Sequence, residues 1–293
     1  MKKSVIAAHI IEKNIHRFAC TICGGVFRVE NAKSIVCENG HCFDIARNGY
    51  VNMLRAPVIS KYDTTMFTAR NTISREGFFD PLIDAMSDIL STHLKSKSTN
   101  DHFILDAGCG EGSLLSQVLN KLASRNHPGV YGAGIDIARE GIHIAARDYG
   151  NAIWMVGDIT RLPVQTGQCD AVLNILSPSN YAEFARVLNA EGIILKVVPG
   201  EKYLLELRRS LFRDSEKENY SNEKTIQLFK NSFHVTSDNK IQYKIPVDDR
   251  NIEHIITMTP LTWSAGINKK EMLKGTDISH ITVDLIILAG RKR

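Results

Sequence analysis

Four residues near the start of the chain limit its fold more than any others: Cys20, Cys23, Cys37 and His41. A C-x2-C pair brings two thiols to a common point. After a loop, C-x3-H supplies a compact second half, with Gly40 allowing the turn. That is the spacing of a closed, four-coordinate zinc site. Residues 18–54 hold only short β-type runs, at 26–29 and 34–36, and few apolar side chains. So small a ribbon cannot build a core alone, and its fold is expected to depend on the metal. Cys42 follows His41 directly and competes for the fourth position; the compact C-x3-H spacing favours His41, with Cys42 expected to turn inward beside Phe43. A redox C-x-x-C is the other reading, but the βαβ surroundings of such a motif are missing.

The chain has six cysteines, and the two outside this cluster, Cys109 and Cys169, are far from each other. That usage fits a reduced, cytoplasmic protein better than a disulfide framework. No apolar run is long enough to span a bilayer. The first residues, MKKSVIAAHIIE, are interrupted by His9 and Glu12 and predict a short helix or tail rather than a leader. The net charge of +4 is uneven: residues 1–75 carry eleven Lys/Arg against five Asp/Glu. A basic front end suits a phosphate-bearing partner.

The pattern divides the chain into an N-terminal extension (1–17), a zinc module (18–54), a linker (55–78) and a large domain (79–293). From Phe79, Leu82, Ile83, Met86, Ile89, Leu90 and Leu94 recur at helix spacing. Strand and helix signals then alternate: strands near 103–105, 130–135, 152–156, 171–176 and 192–198, with helices following the first, second, fourth and fifth. Alternation of this kind predicts an α/β fold, a mostly parallel sheet with helices on both faces. Two late β runs, near 242–247 and 280–288, are expected to form a final antiparallel pair.

The run LDAGCGEG at 105–112 follows a strand and opens a helix. Glycines at 108, 110 and 112 allow close backbone approach to a ligand at a helix N-terminus. A nicotinamide-binding loop competes, but the spacing is not G-x-G-x-x-G, and Asp106 precedes the first glycine. The arrangement resembles the first motif of class I S-adenosylmethionine (SAM) methyltransferases, a Rossmann-like fold. That likeness implies cofactor contacts from Asp106, Gly108, Gly110, Glu111 and Gly112, from Asp136 to the ribose, and from Asp158 to the adenine. Asn174, Ser177 and Pro178 then lie on the target-base side. A cap or turn role is the alternative for the two aspartates and for Ser177.

Further blocks are similar to one family, the bacterial 23S rRNA guanine-N1 methyltransferases. They include FDIARNGYVNML at 43–54, MFTAR at 66–70, GFFDPL at 77–82, PGEKYLLEL at 199–207 and MTPLTW at 258–263. The likeness implies a SAM contact from Phe79 and another from Tyr203, where some members carry Tyr and His. It also implies a structural zinc, a homodimer, and a 23S rRNA hairpin near the macrolide site as substrate, with no DNA or membrane partner. On the zinc module and after it, Arg28, Lys33, Arg47, Arg55 and Lys61 are candidate phosphate contacts. Two other functions compete: a small-molecule methyltransferase with a merely structural zinc module, and a zinc-dependent RNA-binding protein without catalysis.

Overall fold

The computed structural model describes residues 2–56, 58, 62–95, 101–127, 129–212, 220–248, 250–259 and 278–293. Pro57, Lys61 and the PLTW part of the late block lie outside the described residues. The chain begins with helix α1 (Lys3–Asn14), followed by strands β1 (Phe27–Glu30), β2 (Ser34–Cys37), β3 (Cys42–Asp44) and β4 (Val51–Asn52). Helices α2 (Thr64–Arg75) and α3 (Asp80–Lys95) lead into the alternating part. That part runs β5 (His102–Ala107), α4 (Ser113–Ser124), β6 (Val130–Asp136), α5 (Arg139–Asp148), β7 (Ile153–Val156), β8 (Cys169–Ile175), α6 (Tyr181–Val187) and β9 (Leu188–Pro199). The C-terminal elements are α7 (Leu205–Leu211), α8 (Glu223–Ser232), β10 (Phe233–Pro246), α9 (Asn251–Met258) and β11 (His280–Lys292).

The main sheet has the order β10-β11-β9-β8-β5-β6-β7-β4. From β4 to β9 every pairing is parallel, and β11 joins β9 and β10 antiparallel. The expected Rossmann-like sheet and its late antiparallel pair are both present. Strand order reverses between β5 and β8, so their carboxyl ends open the crevice where ligands of such sheets bind.

Strands β5 and β8 are buried along their whole length, as strands covered on both faces must be. Alternation sends their side chains to two cores. Ile104, Ala171 and Leu173 face a core shared with α3 and α4 through Leu82, Leu115 and Val118. Phe103, Leu105 and Val172 face the opposite core, built with Phe184 of α6 and Phe229 of α8.

The zinc module belongs to this second core. Phe27, Ile35 and Phe43 of its three-stranded sheet pack in one cluster with Ile153 and Met155 of the main sheet. Its last strand, β4, pairs with β7 as the edge of the main sheet. Residues 2–17 join the same cluster: Ala8 and Ile11 of α1 are buried there, and Arg17 pairs with Asp101 at 2.7 Å while lying over the Phe103 ring.

The stretch read as a linker, 55–78, contains a full helix, α2, capped by Asp63, whose carboxylate accepts from Met66 N at 2.7 Å. Threonines disguise it in the sequence because they are poor helix formers. Thr68 and Thr72 instead return their hydroxyls to the carbonyls of Thr64 and Thr68, and packing against α5 and α9 supplies the rest.

Candidate active site and metal centre

The cofactor loop leaves β5 at Ala107 and turns through three positive φ values: 85° at Gly108, 58° at Gly110 and 79° at Gly112. Gly108 has a second reason to be glycine: a Cβ there would occupy the position of the Ser177 hydroxyl, so the loop after β8 presses directly on the cofactor loop. Gly112 caps α4, and a Cβ there would meet Trp154 at 2.6 Å and Ala145 at 2.7 Å. From the end of β6, Asp136 ties the loop down. Its two carboxylate oxygens accept from Gly110 N and Ala138 N, both at 2.8 Å.

Three acids gather beside this loop around one cation. Arg70 of α2 lies 3.4 Å from the buried carboxylate of Glu111, and Asp106 and Asp136 also act on it electrostatically. Glu111 accepts a short hydrogen bond from the Ser113 hydroxyl. Asp106 is 1 % exposed, and its Oδ1 has no hydrogen-bond partner. Burial raises its carboxyl to about 8, and Asp136 and Glu111 push in the same direction against Arg70. A buried, unpartnered carboxyl beside a glycine cradle is suited to a cationic group. SAM carries an ammonium and a sulfonium, so the residues present fit that cofactor.

A cavity of about 720 Å³ opens at the switch point, within the range of small-molecule sites. It brings together Phe79, Gly108, Gly110, Asp136, Asp158, Ser177, Pro178 and Tyr203 of the residues singled out in the sequence. Asp106, Glu111, Gly112 and Asn174 do not line it. Asp158 holds its own turn, accepting from Thr160 N at 2.8 Å. Asn174 is fully buried: its Nδ2 donates to Ala107 O at 2.7 Å and Pro178 O at 2.9 Å, and its Oδ1 accepts from Ser179 at 2.8 Å. It braces the loop that carries Ser177 and Pro178. Burial pushes the Tyr203 phenol to about 12, which keeps it a donor at neutral pH.

Several lining residues have no role assigned from the sequence: Tyr62, Tyr220, and Phe67 and Arg70 of the MFTAR block. Phe67 and Arg70 come from the helix hidden in the linker. Its Asp-x-x-Met start, an N-cap followed by an apolar run, is the signal that marks it.

In the N-terminal module, ligand atoms of Cys20, Cys23, Cys37 and His41 all lie within 4.8 Å of one another. Cys23 and Cys37 sulfurs are 3.7 Å apart, and His41 Nδ1 lies 3.6 Å from Cys20 and 3.3 Å from Cys37. A tetrahedron with Zn–S bonds of about 2.3 Å has edges of about 3.8 Å, so the donor set fits zinc. Asn39 donates to Cys23 at 3.3 Å and His41 N to Cys37 at 3.3 Å, the outer contacts that orient thiolates. Cys42 is exposed on β3, so it neither completes the cluster nor turns inward beside Phe43. His41, not Cys42, stands as the fourth member of the cluster.

The proposed phosphate contacts differ among themselves. Arg28, Lys33 and Arg47 are exposed, with Arg28 paired to Glu30. Arg55 instead donates to Thr21 O and Ile22 O, bracing the first half of the metal site. No helix among the described residues is long and apolar enough to cross a membrane.

Residues 18–62 match the family described as "RlmA, N-terminal", and residues 104–192 match "Methyltransferase domain". A Bacillus subtilis (strain 168) protein with the name "Putative 23S rRNA (guanine-N(1)-)-methyltransferase YxjB" is 40% identical over 280 residues, 94% of this chain and 97% of its own. The "23S rRNA (guanine(748)-N(1))-methyltransferase" of Streptomyces fradiae is 28% identical over 256 residues, covering 86% and 88% of the two chains. A Micromonospora griseorubida protein, "Putative 23S rRNA (guanine-N(1)-)-methyltransferase", is 31% identical over 205 residues, 64% of this chain and 67% of its own. With a zinc corner and a SAM-fitting cavity on one sheet, and that degree of identity across almost both whole chains, the protein belongs to the 23S rRNA (guanine-N1)-methyltransferase family.

Proposed function

We propose that the protein methylates N1 of a guanine in 23S rRNA, using SAM, in a hairpin near the macrolide site. One observation carries the reading. The glycine loop with Asp136 and Asp158 and the Leu176–Asn180 loop line one cavity and touch at Gly108 and Ser177, so cofactor and target base can share one chamber.

On this reading Asp136 and Asp158 serve the ribose and adenine, Phe79 and Tyr203 pack against the cofactor, and Asp106 and Glu111, buried beside the glycine loop and outside the cavity lining, act on its cationic end through their charge. When bound, SAM supplies an electrophilic methyl group on a cationic sulfur. The chain's own part is to align and exclude water, which can supply much of such a rate. Guanine N1 bears a proton at neutral pH and lies on the pairing edge. The base must therefore be unpaired or flipped into the cavity, and its proton removed as the new bond forms. Ser177 and Pro178 stand on the target-base side, and Asn174 acts through the loop it braces.

The division into extension, zinc module, connecting segment and catalytic domain is then one of labour. The zinc module grips RNA backbone through Arg28, Lys33 and Arg47, and the larger domain does the chemistry. The same reading extends to a homodimer whose two copies frame the RNA, working in the cytoplasm.

Incubation with methyl-labelled SAM and unmodified 23S rRNA, followed by nucleoside digestion, tests the proposal. Label in 1-methylguanosine is the expected result. Label on a small metabolite instead, or at another base position, overturns it.

A further inference from the structure

One charged group inside the molecule has no part in the functions described so far. Lys196 lies on β9 and is 3 % exposed. Among the described residues no carboxylate pairs with it. Its ammonium donates instead to two neutral oxygens, Asn174 Oδ1 and Ser177 O, each at 2.6 Å.

Both acceptors belong to the loop that walls the cavity. Asn174 stands opposite Lys196 in the β8–β9 pairing, and its amide nitrogen reaches Ala107 O at the root of the cofactor loop. Ser177 presses its hydroxyl against Gly108. Between them Leu176 holds a left-handed backbone, φ 51°, which a branched side chain adopts only when its surroundings impose it. Leu176 through Asn180 all line the cavity.

We infer that Lys196 is a positioning residue: its ammonium, bridging Asn174 and the Ser177 carbonyl, locks the Leu176–Asn180 wall in register with the cofactor loop. The inference rests on the methyltransferase reading of the cavity.

Holding an unpaired ammonium inside the protein is unfavourable, and burial lowers Lys196 to about 8. An apolar side chain of similar length would remove that cost. A residue kept for stability alone would be better as methionine, so Lys196→Met separates the two roles.

The experiment compares full-length wild type and Lys196→Met in kcat and KM for 23S rRNA, SAM affinity by calorimetry, thermal midpoint, and amide hydrogen exchange across 174–180. Lys196→Met is expected to lower kcat by roughly tenfold to a hundredfold, the scale of a small misplacement at a reacting centre. Its thermal midpoint is expected to be equal or higher, with SAM affinity within roughly threefold, and exchange across 174–180 faster. The double variant Lys196→Met/Asn174→Leu should lose little beyond the worse single variant, because both act through one loop. Wild-type kcat and unchanged exchange in Lys196→Met overturn the inference. So does a loss of kcat matched by a fall in thermal midpoint, which marks a purely structural role. If the wild-type protein itself fails to methylate rRNA, the functional reading fails, and the exchange measurement still decides whether Lys196 locks the loop.

Discussion

The zinc corner and the cofactor cavity are built in opposite ways. All four metal ligands lie between Cys20 and His41, and Asn39 and Arg55 brace them from nearby. The cavity draws its walls from segments running from Tyr62 to Thr259. A local site is held by its metal and can be lost by one ligand. A dispersed site is held by the whole sheet and is lost only where two segments touch. The contrast says where each half of the molecule should break.

The largest effect is expected where the two cavity walls meet. Gly108→Ala would drive a Cβ into Ser177 from a left-handed backbone, at a cost of about 2–4 kcal/mol. SAM binding by calorimetry should be reduced beyond measurement or nearly so, with bound zinc unchanged by elemental analysis. Zinc loss along with SAM binding would break the contrast. A smaller loss is expected from Asp136→Ala, which removes charge-assisted bonds to Gly110 N and Ala138 N. It should weaken SAM by about 1.5–3 kcal/mol; an unchanged dissociation constant would remove Asp136 from the site.

On the other side, Asn39→Ala takes away one bond to the Cys23 sulfur. Zinc affinity, read by competition with a chelator, should fall roughly tenfold, while SAM affinity stays constant.

Both kinds of site left a trace in the sequence, but unequally. The metal centre was legible because its spacing is its geometry: only the choice between His41 and Cys42 needed the fold, which clusters His41 with the three cysteines and leaves Cys42 exposed. The sheet was legible because buried parallel strands such as 171–175 read as unbroken apolar runs. Phe67 and Arg70 stood in the MFTAR block, but their place in the cavity was hard to see because Thr64, Thr65, Thr68 and Thr72 mask their helix, and only packing against α5 and α9 makes it one. Asn174 was legible as part of the loop, but its partners come from β5, β9 and the loop itself, and no spacing encodes that meeting. The attachment of the zinc module to the main sheet was invisible for the same reason. Val51 pairs with Met155 across a long stretch of chain.

The subtlest expected effect is on protons. Asp106 titrates near 8 when buried, far above an exposed carboxyl. Its folded value is raised, so its contribution to stability is complete below the ordinary carboxylate range and is lost as pH rises through about 8. A cationic ligand favours the ionised form. SAM binding near pH 7 should therefore release a fraction of a proton and tighten as pH approaches 8. Calorimetry in buffers of different ionisation heat reads this directly. Identical binding heats in all buffers would place the cation elsewhere.

The central claim is that the zinc corner holds RNA and the cavity holds SAM, as separable sites on one body. Measuring both affinities on the same Cys37→Ser preparation tests it most directly. The account predicts loss of bound zinc and roughly tenfold or greater weakening for a 23S rRNA hairpin, with SAM affinity nearly unchanged. Equal loss of SAM affinity, or undiminished RNA binding without zinc, would contradict it.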